Sequence, residues 1–383
     1  MRRIKVLSVF GTRPDTIKLA PVVNELSKYP HLIDSVTCGT AQHREMMDQV
    51  LSVFGISPDY DLGVMRDDQT LFDIAERGLR GLREVLERER PDVTLVHGDT
   101  STAFVGALAS FYCKVKVGHV EAGLRTNQKY DPFPEEMNRR LVGCLSDLHF
   151  APTSEHLGNL LRENFPRSNI YVTGNTVVDA VLAVAATRTG FVDTQLASID
   201  FTGRRLVLVT AHRRENIGEP LQAICAAVRD VLRDFPDTMA VMPVHPNPRV
   251  QSMVFRELSG VERCYLIDPV SYPDMVGLMQ KCFMVMTDSG GLQEEAPALG
   301  KPVLVLRRTT ERPEGVRAGT LKLAGVSREG IRIQAGILLS NTEKYRQMAE
   351  SPNPYGDGQA SRRIVSGILH HFGMVDERPA DFA

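Results

Sequence analysis

Short runs of β-branched and aliphatic residues alternate with stretches of helical period along the whole chain, and this alternation constrains the fold more than any other feature. Strands are expected at Val6–Phe10, Val93–Val96, Val115–Val120, Leu148–Ala151 and Ile170–Val172. The second half repeats the pattern at Leu206–Val209, Met239–Val244, Cys264–Ile267, Phe283–Met286 and Val303–Leu306. Helices are expected between them, among others over Ile17–Leu26 and Ala103–Phe111. The clearest carries Leu221, Ile224, Cys225, Val228, Val231 and Leu232 on one face, the 3.6-residue period of a helix packed on a sheet. Strands that alternate with helices form βαβ units, so the class is α/β with parallel sheets. Eleven or so strands fit one barrel or two open sheets. At roughly 150 residues per domain, 383 residues divide into two. The aperiodic, small and polar segment Thr187–Thr202 suits an early part of a second domain. Two Rossmann-like domains are therefore favoured, with ligands beyond the carboxyl ends of their strands.

Charge and cysteine usage narrow the function classes. The formal net charge is −2 with no long block of one sign, which argues against nucleic acid or an anionic membrane as the main partner. The six cysteines include no CxxC pair and mostly sit in apolar runs, as buried residues of a reducing compartment do. The amino terminus lacks the apolar region of a signal peptide, and no stretch approaches the ~20 apolar residues of a membrane span. A cytoplasmic protein is expected.

Polar motifs follow the expected strands. Gly11-Thr12-Arg13-Pro14-Asp15 offers a tight turn and a cap, and Arg13 and Lys18 supply cations near a helix start, which suits a phosphate or carboxylate. An ordinary βα turn with solvated charges has the same composition. His97-Gly98-Asp99-Thr100 places a carboxylate at a strand end, although Asp99 or Thr100 can equally serve as a helix cap. Glu121 ends a buried strand, where an acid needs a partner or a function. Glu135 and Arg139 are four apart and share a helical face, as an active-site pair or as a surface ion pair. His212 lies beside Arg213 and Arg214 at another strand end. In Asp288-Ser289-Gly290-Gly291, paired glycines and a hydroxyl open a helix and can admit an anion to backbone N–H groups, with Glu295 one turn on at a distance suited to a ribose diol. Neither the G-x-G-x-x-G fingerprint nor a Walker lysine is present there. Thr309-Thr310-Glu311-Arg312 forms a further βα-type loop.

Together these segments resemble the bacterial-type, non-hydrolysing UDP-N-acetylglucosamine 2-epimerases. The matching stretches are GTRPDTIKLAP, TAQHREMMDQVL, HGDTSTA, VGHVEAGLRT, PFPEEMNRR, TGNTVVDA, VTAHRREN, PVHPNP, TDSGGLQEEAP, GKPVLVLRRTTERPE and NPYGDGQAS, in family order from Phe10 to Ser361. The resemblance implies a GT-B architecture, two Rossmann-like domains with parallel sheets and an interdomain cleft. The domains would be 1–173 and 174–360, with a C-terminal helix over about 361–376 crossing back to the first. It implies a catalytic set of Asp99, Glu121, Glu135, Arg139 and His212. Ser289, Gly290 and Gly291 would hold a diphosphate and Glu295 a ribose, while Arg13, Lys18 and Arg312 add positive charge. A regulatory site for a second UDP-N-acetylglucosamine would be built from Gln42, His43, Arg44, Arg213 and His245. Two departures from the family pattern stand out: Asp15, where Glu is usual, and the loop Val270-Ser271-Tyr272-Pro273-Asp274-Met275, which differs from the commoner Gln and Phe pattern around the uracil.

The implied reaction is epimerisation at C2 by loss and re-addition of UDP through 2-acetamidoglucal, feeding surface polysaccharide synthesis. No cofactor and no metal are expected. Expected partners are UDP-N-acetylglucosamine, UDP and a second copy of the chain as a homodimer. The competing functions are a hydrolysing epimerase, a GT-B glycosyltransferase and a non-catalytic UDP-sugar sensor. Three candidate carboxylates weigh against the sensor, and full-length motif agreement weighs against the transferase.

Overall fold

The computed structural model describes residues 2–40, 44–64, 69–187 and 190–383, with the side chains of 44–46 left aside. Two compact units emerge, one of Met1–Ala180 with Gly356–Ala383, the other of Val181–Tyr355. The first unit contains β1 (Ile4–Phe10), β2 (Ile33–Gly39), β3 (Tyr60–Asp61), β4 (Val93–His97), β5 (Lys116–Val120), β6 (Leu148–Ala151) and β7 (Ile170–Val172). The second contains β8 (Arg205–Thr210), β9 (Thr238–Pro243), β10 (Cys264–Ile267), β11 (Met284–Thr287), β12 (Val303–Val305) and β13 (Leu321–Leu323).

Both sheets are parallel throughout, in the orders β3-β2-β1-β4-β5-β6-β7 and β10-β9-β8-β11-β12-β13. Counted from its own first strand, each sheet begins 3-2-1-4-5-6, the doubly wound order of a Rossmann fold, so the α/β reading holds in both units. The order reverses direction between β1 and β4 in one sheet and between β8 and β11 in the other. Loops leaving adjacent strands diverge at such a point and open a crevice at the carboxyl ends.

Side chains of β1 alternate between faces, as a strand must. Val6 and Phe10 join a core with the helices Arg13–Leu26 and Ala360–His371, whereas Leu7 and Val9 join another with Leu71–Glu89 and Ser101–Tyr112. In the second unit the helix Glu219–Asp234 buries Leu221, Ile224, Cys225, Val228, Val231 and Leu232 against β8, β9 and β11. The C-terminal helix is fixed to the first unit by chemistry as well as packing. Asp179 accepts the N–H groups of Ala360 (3.2 Å) and Ser361 (2.8 Å), two donors with no partner inside their own helix. Ile364, Val365, Ile368 and Leu369 then lie in the core beside β1 and β6. β2, β3 and β13 add to the strands expected from sequence. Among the described residues, no helix is long and apolar enough to cross a membrane.

Candidate active site

In the first unit the candidate side chains Lys18, His97, Asp99 and Glu121 gather where β1, β4 and β5 end. After β1 the chain turns through Gly11 into the helix Arg13–Leu26, for which Thr12 is the N-cap residue. A Cβ on Gly11 would lie 2.1 Å from Thr40 Oγ1 and 2.4 Å from Thr102 Oγ1, so only glycine lets this turn approach the neighbouring loops. Asp15 does not reach outward. It is buried and accepts from the N–H of Thr12 at 2.6 Å and of Gly11 at 3.2 Å. Burial raises its pKa to about 6 despite those donors. Its short side chain thus serves the turn itself.

One turn further along that helix, the Lys18 ammonium contacts the Glu121 carboxylate. Glu121 also accepts from Asn175 Nδ2 at 2.8 Å, and His97 Nε2 stands 3.7 Å from the same oxygen. The φ of Glu121 is 63°, a conformation that is costly for a residue with a Cβ and that clusters at functional sites. His97 is buried at the end of β4, and loss of hydration pushes its pKa down to about 4, so the ring beside Glu121 is neutral. His119 on β5 approaches the carbonyl of Gly98 at 2.8 Å, and Gly98, at φ 62°, turns the chain into Asp99.

Asp99 Oδ2 is gripped by Arg139, through Nε at 2.8 Å and Nη2 at 2.6 Å, and Asn138 Nδ2 holds the Asp99 carbonyl at 2.8 Å. Burial pushes the Asp99 carboxyl up and Glu121 adds to the effect, while Arg139 opposes it. Arg139 is supplied by the helix Glu135–Leu145. On that helix Glu135 makes no ion pair with Arg139, and its Oε2 is buried with no hydrogen-bond partner among the described residues. The carboxylate that does meet Arg139 is Glu136, at 3.4 Å, which also accepts the N–H groups of Thr126 (2.9 Å) and Asn127 (3.1 Å). In the sequence Glu136 is masked by Glu135, which has the same chemistry and the i, i+4 spacing to Arg139. Asn175 and His97 likewise lie inside the motifs TGNTVVDA and HGDTSTA, where nothing in the local pattern distinguishes them.

In the second unit the ends of β8 and β11 meet at the switch point. Ser289 precedes the helix Gly290–Ala298 as its N-cap residue, and Gly290 and Gly291 are its first residues. A Cβ on Gly290 would have only Arg213 Nη2 within 4 Å, at 3.6 Å, and one on Gly291 only Glu295 Oε2, at 3.9 Å. The helix therefore opens with bare backbone, and the Glu295 carboxylate lies over its first turn. Unpaired N–H groups at such a terminus attract anions. Arg312 ion-pairs with the buried Glu294 on the same helix, and Gln293 accepts from Thr310 Oγ1 at 2.6 Å, which ties the loop after β12 to that helix. His212, after β8, is one-third exposed and stacks on His245 with ring centroids 5.1 Å apart and planes 8° from parallel. Burial lowers its pKa, and His245 and Arg213 act in the same direction against the opposing effect of Asp288.

The sequence-derived residues are divided between the two units. Arg13, Lys18, Asp99, Glu121, Glu135 and Arg139 belong to the first unit, and His212, Arg213, His245, Ser289, Gly290, Gly291, Glu295 and Arg312 to the second. Gln42 and His43 lie outside the described residues, and Arg44 begins the helix Arg44–Val53. Among the described residues, no group of three or more His, Cys, Asp or Glu side chains could hold a metal ion.

Comparison with known proteins adds a second line of evidence. The family model for UDP-N-acetylglucosamine 2-epimerase matches residues 24–369. A UDP-N-acetylglucosamine 2-epimerase of Bacillus subtilis is 50% identical over 382 residues, covering 100% of this chain and 99% of its own length. The Neisseria meningitidis UDP-GlcNAc 2-epimerase, crystallised with UDP-GlcNAc, is 47% identical with a TM-score of 0.88, over 96% of this chain and 100% of that one. The Methanocaldococcus jannaschii enzyme, in complex with UDP-GlcNAc and UDP, is 32% identical with a TM-score of 0.78, again over 96% and 100%.

Proposed function

This chain belongs to the UDP-N-acetylglucosamine 2-epimerase family, and from that premise we propose that it interconverts UDP-N-acetylglucosamine and UDP-N-acetylmannosamine by eliminating and re-adding UDP. The C2 hydrogen is not adjacent to a carbonyl, so simple deprotonation has no stabilised anion to form. Elimination avoids that anion. A base takes the C2 proton, the C2–H electron pair becomes the C1=C2 double bond, and the C1–O pair leaves on the β-phosphate of UDP. The product, 2-acetamidoglucal, is attacked again at C1 by the phosphate oxygen while an acid returns a proton to the opposite face of C2.

The observation that carries this reading is the pair of carboxylates after β4 and β5 of the first unit, Asp99 and Glu121, close enough that the charge of Glu121 acts on Asp99. Asp99 and Glu121 are each held by a cation, and Glu135 on the following helix has a buried oxygen with no partner among the described residues. Base and acid are drawn from these three, and burial pushes the Asp99 carboxyl up, towards such work. In the second unit the Ser289–Gly291 helix start and the flanking Arg312 and His212 suit the charge that develops on the departing diphosphate. Arg13 and Lys18 add cations in the first unit, and Glu295 is assigned to the ribose. The direct assay is incubation with UDP-N-acetylglucosamine alone, which should yield UDP-N-acetylmannosamine at constant total UDP-sugar. Release of free N-acetylmannosamine would favour a hydrolysing enzyme, and turnover only with an acceptor would favour a transferase.

Finer features of the proposal are regulatory. Arg213 and His245, both next to His212, would contribute with Gln42, His43 and Arg44 to recognition of UDP-N-acetylglucosamine as an activator. The reverse reaction from UDP-N-acetylmannosamine should then start slowly and accelerate when a trace of UDP-N-acetylglucosamine is added, and His245→Ala should weaken that response. A reverse reaction that starts at full speed refutes regulation. The enzyme is further assigned to the cytoplasm and to surface polysaccharide synthesis. The exposed Phe111 and Tyr112 on the helix Ser101–Tyr112 suit burial in a homodimer.

A further inference from the structure

Asp288 is fully buried immediately after β11, at the switch point of the second sheet. Its Oδ2 accepts three hydrogen bonds, from the backbone N–H of His212 at 2.8 Å, that of Arg213 at 2.9 Å and Asn216 Nδ2 at 2.9 Å. Asn216 is itself buried, and its amide also donates to the carbonyl of Leu306 at 3.0 Å. A carboxylate gripped this way cannot swivel, so the direction of its other oxygen is fixed. That oxygen, Oδ1, is buried with no hydrogen-bond partner among the described residues. The imidazole Nδ1 of His212 stands 3.5 Å from it.

An orphaned buried carboxylate oxygen is expensive, and holding a loop does not require one. The three donors on Oδ2 would be served equally well by the side-chain oxygen of an asparagine. What asparagine cannot supply is a second acceptor aimed at the imidazole. A ring movement of roughly half an ångström would bring Nδ1 into hydrogen-bond range.

We propose that Asp288 is a positioning residue that acts through His212, holding the Nδ1–H towards Oδ1 so that Nε2 is the atom presented to the departing diphosphate. This rests on the reading of His212 as a group that serves the diphosphate. Asp288 also stabilises the imidazolium, so that Nε2 can donate a charged hydrogen bond as the C1–O bond breaks. The groups facing His212 are Asp288, His245, Arg213 and Glu215. His245 and Arg213 disfavour a positive charge on the ring, as does burial. Asp288 is the buried countercharge among the four and the one locked in orientation.

The test combines spectroscopy and kinetics on the full-length protein. Long-range ¹H–¹⁵N correlation of histidine-labelled protein, with His212 assigned by its loss in His212→Gln, should show the neutral ring protonated at Nδ1. In Asp288→Asn the amide NH₂ faces Nδ1 and should move the proton to Nε2. That variant should lose about 10²–10⁴-fold in kcat, the range of a lost acid–base contribution, with KM changed only a few-fold. Placed on His212→Gln, it should cause no further loss, because groups that act as one unit are not additive. A wild-type ring protonated at Nε2 overturns the proposal even if the variant fails to fold, and so do losses that multiply in the double variant. Wild-type kcat in His212→Gln would instead overturn the role of His212 itself, and the tautomer spectrum would still decide whether Asp288 holds the ring.

Discussion

Replacing His119 with glutamine should make the protein's stability measurably less sensitive to acid. His119 is wholly buried on β5, and its Nε2 lies 2.8 Å from the Gly98 carbonyl, so Nε2 carries the proton. Its Nδ1 is buried without a partner among the described residues. Burial depresses the pKa from 6.5 to about 3. The unfolded chain therefore binds a proton that the folded chain refuses. The contribution to stability is complete above the unfolded pKa and is lost as pH falls from there towards the folded value. At about pH 5 the gap from the unfolded pKa is roughly 1.5 units, and at 1.36 kcal/mol per unit the loss is about 2 kcal/mol. Glutamine places an amide nitrogen near the Nε2 position, keeps the bond to Gly98, and does not titrate. Whatever the substitution costs near neutrality, the difference between variant and wild type should move by about 2 kcal/mol in the variant's favour between about pH 7.5 and pH 5. Urea titrations read by pulsed hydrogen exchange of the β4 and β5 peptides report on this unit alone. A difference that stays flat within about 0.5 kcal/mol would refute a buried neutral His119.

Three further outcomes follow from the same structure. Asp99→Asn, Glu121→Gln and Glu135→Gln keep shape while removing proton transfer, and steady-state assays should show kcat lower by about 10²–10⁴-fold in each; near wild-type rates in all three would remove the proposed site. Gly290→Val places a branched side chain on the open helix start, and calorimetry should show a sharp loss of UDP affinity with folding intact. Gly11→Ala forces a methyl against Thr40 and Thr102 and should cost about 1–3 kcal/mol in chemical denaturation. Removal of both hydroxyls, in Thr40→Ala with Thr102→Ala, should recover part of that loss.

Where strands are covered on both faces, the sequence announces them as unbroken apolar runs, as in β8, β9 and β12. β2 escapes that signal because Asp34, Ser35 and Thr37 interrupt it. Thr37 is tolerated there because Asp59 accepts both its N–H (2.8 Å) and its hydroxyl (2.7 Å), a pairing no local pattern reveals. β3 and β13 span two and three residues, too few to display a period. The site shows the same division. Strand-end motifs marked Lys18, Asp99, Glu121 and His212 as polar residues in the right place. Their partners come from distant sequence: Arg139 reaches 40 residues back to Asp99, and Asn175 reaches 54 back to Glu121. Helical spacing pointed instead to Glu135 as the companion of Arg139, and the structure gives that contact to Glu136. Asp288 was hidden for a further reason, because an aspartate before a helix usually reads as a cap.

The central claim is that the C2–H bond breaks and re-forms with solvent as the proton source. Turnover of UDP-N-acetylglucosamine in D₂O, with neither metal nor nicotinamide added, should place deuterium at C2 of both epimers as NMR follows the approach to equilibrium. Epimerisation with the original hydrogen retained at C2 would contradict elimination and re-addition.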